Sequence, residues 1–348
     1  MRWSFNLERS QTTALWLFGV ALLVLAMVVV GGATRLTGSG LSITEWKPIL
    51  GVIPPLSEAG WQDAFHKYQQ IPQYRLVNAG MSLGAFKGIY WWEWAHRLLG
   101  RLVGVAFVIP MGVLLWLKRL PRRLLVRCFI ILGLGALQGL IGWWMVASGL
   151  DRGIAVAPER LAMHLGLALL IFIACIWTGL EAWSGRARAS NQLLDNGWTT
   201  AAVGLLGAIY AQCLLGALVA GNQAGRINTD WPLMNGRWIP ADYVGRGGLW
   251  GTLAHSVAAV QFNHRLVAYL ILIAAVVMAV RLFRSRSSMA RLLARPFLWV
   301  LGGLFLQACL GVLTLVFAAP LGLALLHQIV AASVLALATG FAWRTARS

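Results

Sequence analysis

The sequence predicts an all-α integral membrane protein with eight transmembrane helices, arranged as two pseudo-symmetric four-helix bundles. The first observation is composition: 59% of the 348 residues are hydrophobic, only 11% are charged, and the mean hydropathy is +0.72. A soluble domain of this size carries more charge. The second observation is a series of apolar runs, each long enough to cross a bilayer of about 30 Å. The third is an internal repeat that relates the two halves of the chain.

The first apolar run, residues 13–33, contains no charged residue. It is longer than the apolar core of a secretory signal peptide. The sequence that follows it, Thr34-Arg35-Leu36-Thr37, lacks the small residues of a cleavage site. We therefore expect this run to be kept as the first transmembrane helix.

Seven further apolar runs complete the set, and two long connections on one side of the membrane separate some of them. These connections, 34–89 and 222–257, are rich in Gly, Pro and Trp and hold five of the 11 acidic residues. Six tryptophans in these connections or at the start of the second span are expected at the depth of the lipid headgroups, namely Trp61, Trp91, Trp92, Trp231, Trp238 and Trp250. The predicted spans are 13–33, 90–117, 124–147, 160–182, 197–221, 258–280, 296–317 and 322–343.

Basic residues collect on the opposite side, where they predict the orientation of the helices. The formal net charge of +18 could suggest a nucleic-acid partner, but its residues form short clusters between apolar runs. Lys and Arg cluster on the cytoplasmic side of membrane proteins, so we expect both termini in the cytoplasm and no nucleic-acid partner. The cytoplasmic group is Arg2, Arg9, Lys118, Arg119, Arg122, Arg123, Arg127, Arg186, Arg188, Arg281, Arg284, Arg286, Arg291, Arg295, Arg344 and Arg347.

The four cysteines lie within or at the ends of apolar runs, and the chain has no Cys-x-x-Cys motif. This pattern excludes a disulfide framework in the exterior connections and argues against a thiolate metal site or a covalently attached c-type heme. We interpret Cys128, Cys175, Cys213 and Cys309 as small core residues.

The second half of the chain repeats the first. Glu93-Trp-Ala-His96-Arg97 corresponds to Gln261-Phe-Asn-His264-Arg265, and His164 corresponds to His327. The repeat predicts an N-terminal four-helix bundle in residues 1–190 and a C-terminal one in 191–348. Two further matches are Gln138-Gly-Leu-Ile-Gly with Gln307-Ala-Cys-Leu-Gly, and Thr44-Glu-Trp-Lys-Pro with Thr229-Asp-Trp-Pro.

Four histidines occupy matched positions near the exterior ends of the even-numbered spans. Each has Gly or Ala one turn deeper on the same face, which leaves room for a flat ring. Zinc or a proton relay would favour carboxylates or cysteines beside them, and only Glu93 qualifies. A hydrogen-bonded packing role suits a single histidine, whereas four at repeated positions favour heme ligation by paired histidines. The candidate ligands, and hence iron-binding residues, are His96, His164, His264 and His327; His66 and His255 lack repeat partners and are interpreted as ordinary loop residues.

Arginines and one acid near these histidines are the remaining site candidates. Heme propionates would suit buried arginines, although arginines could also extend toward the headgroups. Glu93 lies three residues before His96, and its counterpart Gln261 is uncharged, which suggests a reactive first half. The alternative is an ion pair of Glu93 with Arg97 at i to i+4. The candidates for propionate contact are Arg35, Arg97, Arg101, Arg226 and Arg265.

Several motifs resemble the heme A synthase family, in the branch shared by proteobacteria and mitochondria. They are Gly31-Gly-Ala-Thr-Arg-Leu-Thr-Gly-Ser-Gly-Leu-Ser-Ile, Glu45-Trp-Lys-Pro-Ile-Leu-Gly, Pro54-Pro55, Glu93-x-x-His96-Arg97 and Gly225-Arg-Ile-Asn-Thr-Asp-Trp-Pro-Leu-Met. The resemblance covers nearly the whole chain. Some bacterial relatives have a cysteine pair in exterior loops that this chain lacks, so its loops must be held by packing.

The resemblance implies an inner-membrane oxidoreductase that oxidises the C8 methyl group of heme O to a formyl group, making heme A for cytochrome c oxidase. It implies that His96 and His164 hold heme O in the first half and that His264 and His327 ligate a heme b cofactor in the second. It also implies that Glu93 is the catalytic carboxylate. The implied partners are heme O, the lipid bilayer, heme O synthase, oxidase assembly factors and an electron donor, with a homo-oligomer left open.

Two other functions use some of the same features. A non-catalytic diheme b cytochrome would use the same four histidines, but a transmembrane electron carrier would need hemes near both faces and would not need Glu93. A transporter would have helices broken at the midplane, and the even-numbered spans lack paired interruptions of that kind.

Overall fold

The computed structural model describes residues 9–48, 50–151, 153–184 and 197–347. These ranges form helices and turns, without a β-strand. The predicted boundary at residues 190 and 191 lies outside them, as do Arg2, Arg186 and Arg188. Within the described ranges, eight helices are long and apolar enough to cross a membrane, which confirms the all-α membrane class.

The elements follow the predicted order. The spanning helices of the first half are α1, α4, α5 and α6, and those of the second half are α7, α9, α10 and α11; three short helices lie in the long connections. The bounds are α1 (Arg9–Leu36), α2 (Glu58–Gln69), α3 (Pro72–Leu76), α4 (Leu83–Trp116), α5 (Arg122–Leu150), α6 (Pro158–Ser184), α7 (Gly197–Gly221), α8 (Gly248–His255), α9 (Val257–Arg284), α10 (Ser288–Val316) and α11 (Leu321–Thr345).

Two helices begin well before their predicted apolar spans. α4 starts at Leu83 instead of residue 90, with the Ser82 hydroxyl accepting a hydrogen bond from the backbone of Ala85. Its added turns carry Phe86, which is buried in an aromatic cluster with Tyr90, the first residue of the predicted span. α10 starts at Ser288 instead of residue 296. Polar first turns can extend a helix beyond the membrane, so hydropathy alone does not show where such helices begin.

In each half, the four spanning helices contact one another in a closed ring. In the first half, α1 packs on α4 and α6, and α5 packs on α4 and α6. In the second half, α7 packs on α9 and α11, and α10 packs on α9 and α11. Across the halves, α6 contacts α7 and α11, and α1 contacts α11. This packing supports the division into two four-helix bundles, which stays a prediction.

The first long connection folds into a small aromatic core. Trp61, Phe65 and Tyr68 of α2 are buried against Phe86 and Tyr90 of α4. Trp61 contacts the Tyr90 ring edge-on at 5.0 Å between centroids. Trp61 is only 8% exposed, so protein side chains surround its ring, and its depth at the lipid headgroups stays a prediction. All four cysteines are free, so packing and hydrogen bonds hold this connection together.

Candidate functional site

Each of the four candidate histidines packs against a glycine of the preceding transmembrane helix. A Cβ atom built on these glycines would lie 2.7, 2.8, 3.2 and 3.1 Å from the imidazole Cε1. Real Cβ atoms essentially never come within 3.0 Å of a neighbour, and contacts of 3.1–3.2 Å are unusually tight. Any larger residue would therefore displace the first two rings and crowd the other two, and glycine lets each ring lie against the helix backbone. In chain order the pairs are Gly31 with His96, Gly142 with His164, Gly216 with His264 and Gly311 with His327.

The histidines form two facing pairs. Because α4 and α6 each contact α1 and α5, they occupy opposite corners of the first ring, and α9 and α11 do so in the second. His96 and His164 are close enough to interact electrostatically, as are His264 and His327. All four side chains are half-buried. Each pair therefore faces the interior of one ring of helices from opposite sides.

Three of the imidazoles are also in contact with a glutamine side chain. Gln138 Nε2 lies 3.2 Å from His164 Nδ1, and Gln212 Nε2 lies 3.1 Å from His264 Nδ1. Gln307 Nε2 lies 3.3 Å from His327 Nε2. These glutamines lie four residues before the contacting glycines, on the same helix face.

Glu93 and Arg97 form the ion pair that was the alternative to a catalytic role. Glu93 is 3% exposed, and its Oε1 accepts hydrogen bonds from Arg97 Nη2 at 2.6 Å and Nε at 3.0 Å. Its Oε2 accepts from the Ser42 hydroxyl at 2.7 Å and the Ile43 backbone N–H at 2.8 Å. The carboxylate thus accepts four hydrogen bonds and fixes the start of the first connection against α4.

The second half repeats this arrangement with an amide. Arg97 donates to the carbonyls of Ile43 at 2.7 Å and Glu45 at 2.9 Å. At the equivalent positions, Arg265 donates to the carbonyls of Asn228 at 2.8 Å and Asp230 at 3.1 Å. Gln261 Nε2 donates to the carbonyl of Ile227 at 2.8 Å, where Glu93 instead accepts from Ser42 and Ile43. The two long connections are therefore held to their helices in the same register.

The arginines proposed for propionates divide into two groups. Arg97, Arg101 and Arg265 donate to backbone carbonyls of the long connections; Arg101 bonds Pro48 at 2.7 Å and Lys47 at 2.8 Å.

Arg35 and Arg226 form the second group and lie near each other at the boundary between the halves. Arg35 donates to the carbonyls of Ala220 and Gly221 at the end of α7, and its Nε is buried without a partner in the described structure. Within the described residues, neither arginine forms an ion pair with an acid. Two adjacent guanidinium groups without a carboxylate favour an anionic ligand.

Acids of the long connections are held in their charged form. Lys47 and Lys67 donate to Glu45 at 3.0 and 3.1 Å and lower the pKa of that carboxyl below its ordinary value of 4.5. Asp230, at the equivalent position in the second half, accepts from the backbone N–H groups of Asn235 and Gly236. Those bonds lower the pKa of Asp230 below 3.8. His66 and His255 are exposed; His255 lies 3.7 Å from Glu159.

These features fit a flat group held by two axial imidazoles and carrying carboxylates. The Nδ1 atoms of His96 and His327 are buried without hydrogen-bond partners in the described structure. No group of three or more metal-ligating side chains occurs among the described residues, which leaves paired histidines as the available ligand sets. The glycines and glutamines beside the histidines were missed as site residues. Their signal was present in the repeated Gln138 to Gly142 and Gln307 to Gly311 motifs.

Comparison with known proteins identifies relatives along nearly the whole chain. The family model COX15-CtaA, described as cytochrome oxidase assembly protein, matches residues 14–339. A heme A synthase of Caulobacter sp. (strain K31) is 58% identical over 98% of each chain. A heme A synthase of Caulobacter vibrioides is 57% identical, again over 98% of each chain. One from Rhodopseudomonas palustris (strain BisA53) is 48% identical over 93% of this chain and 88% of the relative.

Proposed function

This chain belongs to the COX15-CtaA family of cytochrome oxidase assembly proteins, and from that membership we propose that it is a heme A synthase. It oxidises the C8 methyl group of heme O to a formyl group through successive hydroxylations and loss of water, and the product is heme A for cytochrome c oxidase. The observation that carries the proposal is the pair of facing histidines in each half, present in a chain 58% identical to a heme A synthase over almost its full length.

The two histidine pairs take different hemes in this proposal. His96 and His164 hold the substrate heme O, and His264 and His327 hold a heme b cofactor. The glycine contacts support ligation because they fix the position of each ring, and ligand rings must be held in place to bind a metal well. When bound, the heme iron supplies the redox chemistry. Arg35 and Arg226 are the first candidates for the propionates, since they form no ion pair among the described residues.

Glu93 is the proposed catalytic carboxylate of the first half. It lies three residues before His96 and is buried, so a positive charge developing nearby would interact with it strongly. Its four hydrogen bonds hold it in one orientation, which avoids reorganisation during the reaction. The other strongly buried acid of the described residues is Glu181. It pairs with Arg127 and Arg347, and both of these arginines belong to the predicted cytoplasmic group. Glu93 is therefore the buried carboxylate available to the histidines.

The protein spans the bacterial inner membrane in this proposal. The arginine clusters lie in the cytoplasm with both termini, and the heme sites lie toward the periplasm, under the two long connections. The sorting of Lys and Arg to one side supports this orientation. Heme O synthase, oxidase assembly factors and an electron donor remain the proposed partners.

The test is heme extraction from membranes that contain heme O, comparing wild type with Glu93→Gln. Gln fits this position because Gln261 occupies the equivalent one, so the variant should keep heme but make no heme A. Ser42→Ala is the matched control, because it removes one hydrogen bond to Glu93 and keeps the carboxylate; it should retain most of the activity.

Chromatography of the extracted hemes and an optical spectrum distinguish the outcomes. Heme A formation by Glu93→Gln at the wild-type rate would exclude the catalytic role of Glu93. A wild-type protein that binds heme but makes no heme A, with heme O and a reductant present, would favour a diheme electron carrier instead.

A further inference from the structure

One of the four equivalent histidine sites lacks its glutamine. Gln138, Gln212 and Gln307 each lie four residues before the glycine that contacts a histidine. Four residues before Gly31, which contacts His96, the chain has Met27. The repeat therefore places a polar amide beside three imidazoles and a thioether beside the fourth.

A glutamine at this position can complete the hydrogen bonding of a ligating imidazole. When one ring nitrogen binds a metal, the other carries a proton and normally donates it to an acceptor, which fixes the ring and strengthens the ligand. The Oε1 atoms of Gln138, Gln212 and Gln307 are all buried without partners in the described structure. In the described structure Gln138 and Gln212 use Nε2 to donate to the backbone carbonyls of His164 at 3.0 Å and His264 at 2.8 Å. Rotation of the amide about its last bond exchanges this bond for one in which Oε1 accepts from the imidazole of a bound ligand.

His96 has no such acceptor from α1. Its Nδ1 is buried and unpartnered within the described residues. The Met27 methyl points to the neighbouring turn, 3.4 Å from where a Cβ of Gly100 would lie. A thioether sulfur is only a weak acceptor. His327 Nδ1 is also unpartnered, but the Gln307 amide contacts that ring at its other nitrogen.

We propose that Met27 makes His96 the weaker axial ligand of the first half, so that a coordination position opens on the His96 side to a small neutral ligand. The three histidines backed by glutamine stay bound. Met27 and the glutamines are positioning residues, because they act through the imidazoles. The inference rests on the proposed function and adds to it which of the two ligands yields, namely the histidine three residues after Glu93.

Carbon monoxide is the probe, added to the purified, dithionite-reduced protein with its native hemes. We expect wild type to bind carbon monoxide at one of its two hemes. Met27→Gln should weaken that binding by about 10-fold or more, since loss or gain of such a partner changes metal affinity by about 10–100-fold. Met27→Leu is the matched control and should bind carbon monoxide as wild type does, because leucine also offers no acceptor.

The equivalent position in the second half provides a mirror experiment that does not depend on the folding of a Met27 variant. Gln212→Met should create a second heme that binds carbon monoxide, whereas Gln212→Glu, which keeps an acceptor, should not. The optical difference spectrum counts the binding hemes in each variant.

Unchanged carbon monoxide binding in both Met27→Gln and Gln212→Met, with two hemes retained, would overturn this inference and leave the proposed function intact. Wild-type protein without heme would overturn both. Heme bound and carbon monoxide responding as expected, but no heme A formed from heme O, would overturn only the enzymatic proposal.

Discussion

A glycine beside each candidate ligand sets how near the imidazole can lie to the neighbouring helix. In a helix interior, glycine is less favourable than alanine by about 1 kcal/mol, because it loses more backbone entropy. The four contacts give that cost a structural reason. At Gly142, a Cβ would lie 2.8 Å from His164 Cε1, so even a methyl group would displace the ring.

Gly142→Ala therefore tests whether ring position governs heme binding in the first half. We expect the variant to remain helical, since alanine favours helix, but to lose most of the heme held by His164. Gly139→Ala is the control three residues earlier in α5, where no described atom lies within 4 Å of an added Cβ. Its repeat counterpart is already alanine, Ala308. For both variants, the heme-to-protein ratio measures heme binding and far-ultraviolet circular dichroism measures helix content. Full heme content in Gly142→Ala would show that heme binding does not depend on the close contact between Gly142 and His164.

Individual site residues could be predicted from the sequence where both the residue type and its repeat partner indicated the same role. His96 and His264 could be found because each precedes an arginine in a repeated motif. The roles of Arg97 and Arg265 could not, because their partners are backbone carbonyls, and any residue type provides a carbonyl. Only the path of the connection in space brings Ile43 and Asn228 under these guanidinium groups.

At the scale of elements, the long connections are attached to their helices by charge as well as by packing. Glu45 links the first connection to α2 through Lys67, and Lys67 also pairs with Asp63 at 2.7 Å. The pKa of Lys67 is raised by hydrogen bonds from its ammonium to Asp63 and Glu45. These pairs are partly exposed, so each contributes little energy, and together they mainly fix the position of the segment.

Acid should loosen both connections, and the direction follows from the lowered pKa values. A carboxyl whose folded pKa lies below its ordinary value stabilises the fold above that value and loses this effect as the pH falls through the folded pKa. For Glu45 and Asp230 the loss therefore begins below about pH 4.5 and 3.8, the ordinary values. Hydrogen exchange at residues 43–48 and 228–236 should rise between pH 5 and about pH 3, after correction for the intrinsic pH effect.

Glu45→Gln separates the two segments within one molecule. Residues 43–48 should then exchange faster already at neutral pH and respond less to acid, while residues 228–236 keep the wild-type response through Asp230. An equal change in both segments would show that the acid effect is global instead of local to Glu45.

The ends of the helices could not all be predicted from hydropathy. All eight spanning helices could be predicted, because each needs a long apolar run. The early start of α4 could not be predicted, since its added turns carry Phe86, which belongs to a core formed with α2 outside the apolar span. The burial of Trp61 could not be predicted either, because an aromatic residue in a connection suits a lipid interface, and only the fold shows that its ring packs against Tyr90.

At the scale of the whole molecule, α1 contacts the candidate sites of both halves. Gly31 faces His96 of its own half. The next residue, Gly32, faces Gln328, the neighbour of His327, and Gln328 Nε2 donates to the Val28 carbonyl at 2.9 Å. The repeat counterpart of Gln328 is Leu165. The sequence repeat predicted two similar halves, but this contact breaks the symmetry and could not be derived from it.

The halves also meet where α6 begins and α7 ends, and this junction gives a test of how far each half depends on the other. A Cβ on Gly221 would lie 2.7 Å from Pro158 Cα, which is backbone and cannot rotate away. Gly221→Ala should therefore move α7 against α6, at a cost of about 1–3 kcal/mol for overpacking. Because Arg35 bonds the Ala220 and Gly221 carbonyls, the shift should also disturb the arginine pair proposed for the propionates.

We expect Gly221→Ala to lower the Tm by several degrees and to reduce heme retention in both halves together, measured by thermal unfolding and by spectra of the two hemes. Gly204→Ala in the same helix is the control, since no described atom lies within 4 Å of its added Cβ, and its Tm should stay equal or rise slightly. If Gly221→Ala lost heme from one half alone, the halves would be independent heme-binding units that share a chain, because a displaced junction that both sites depended on would affect them together.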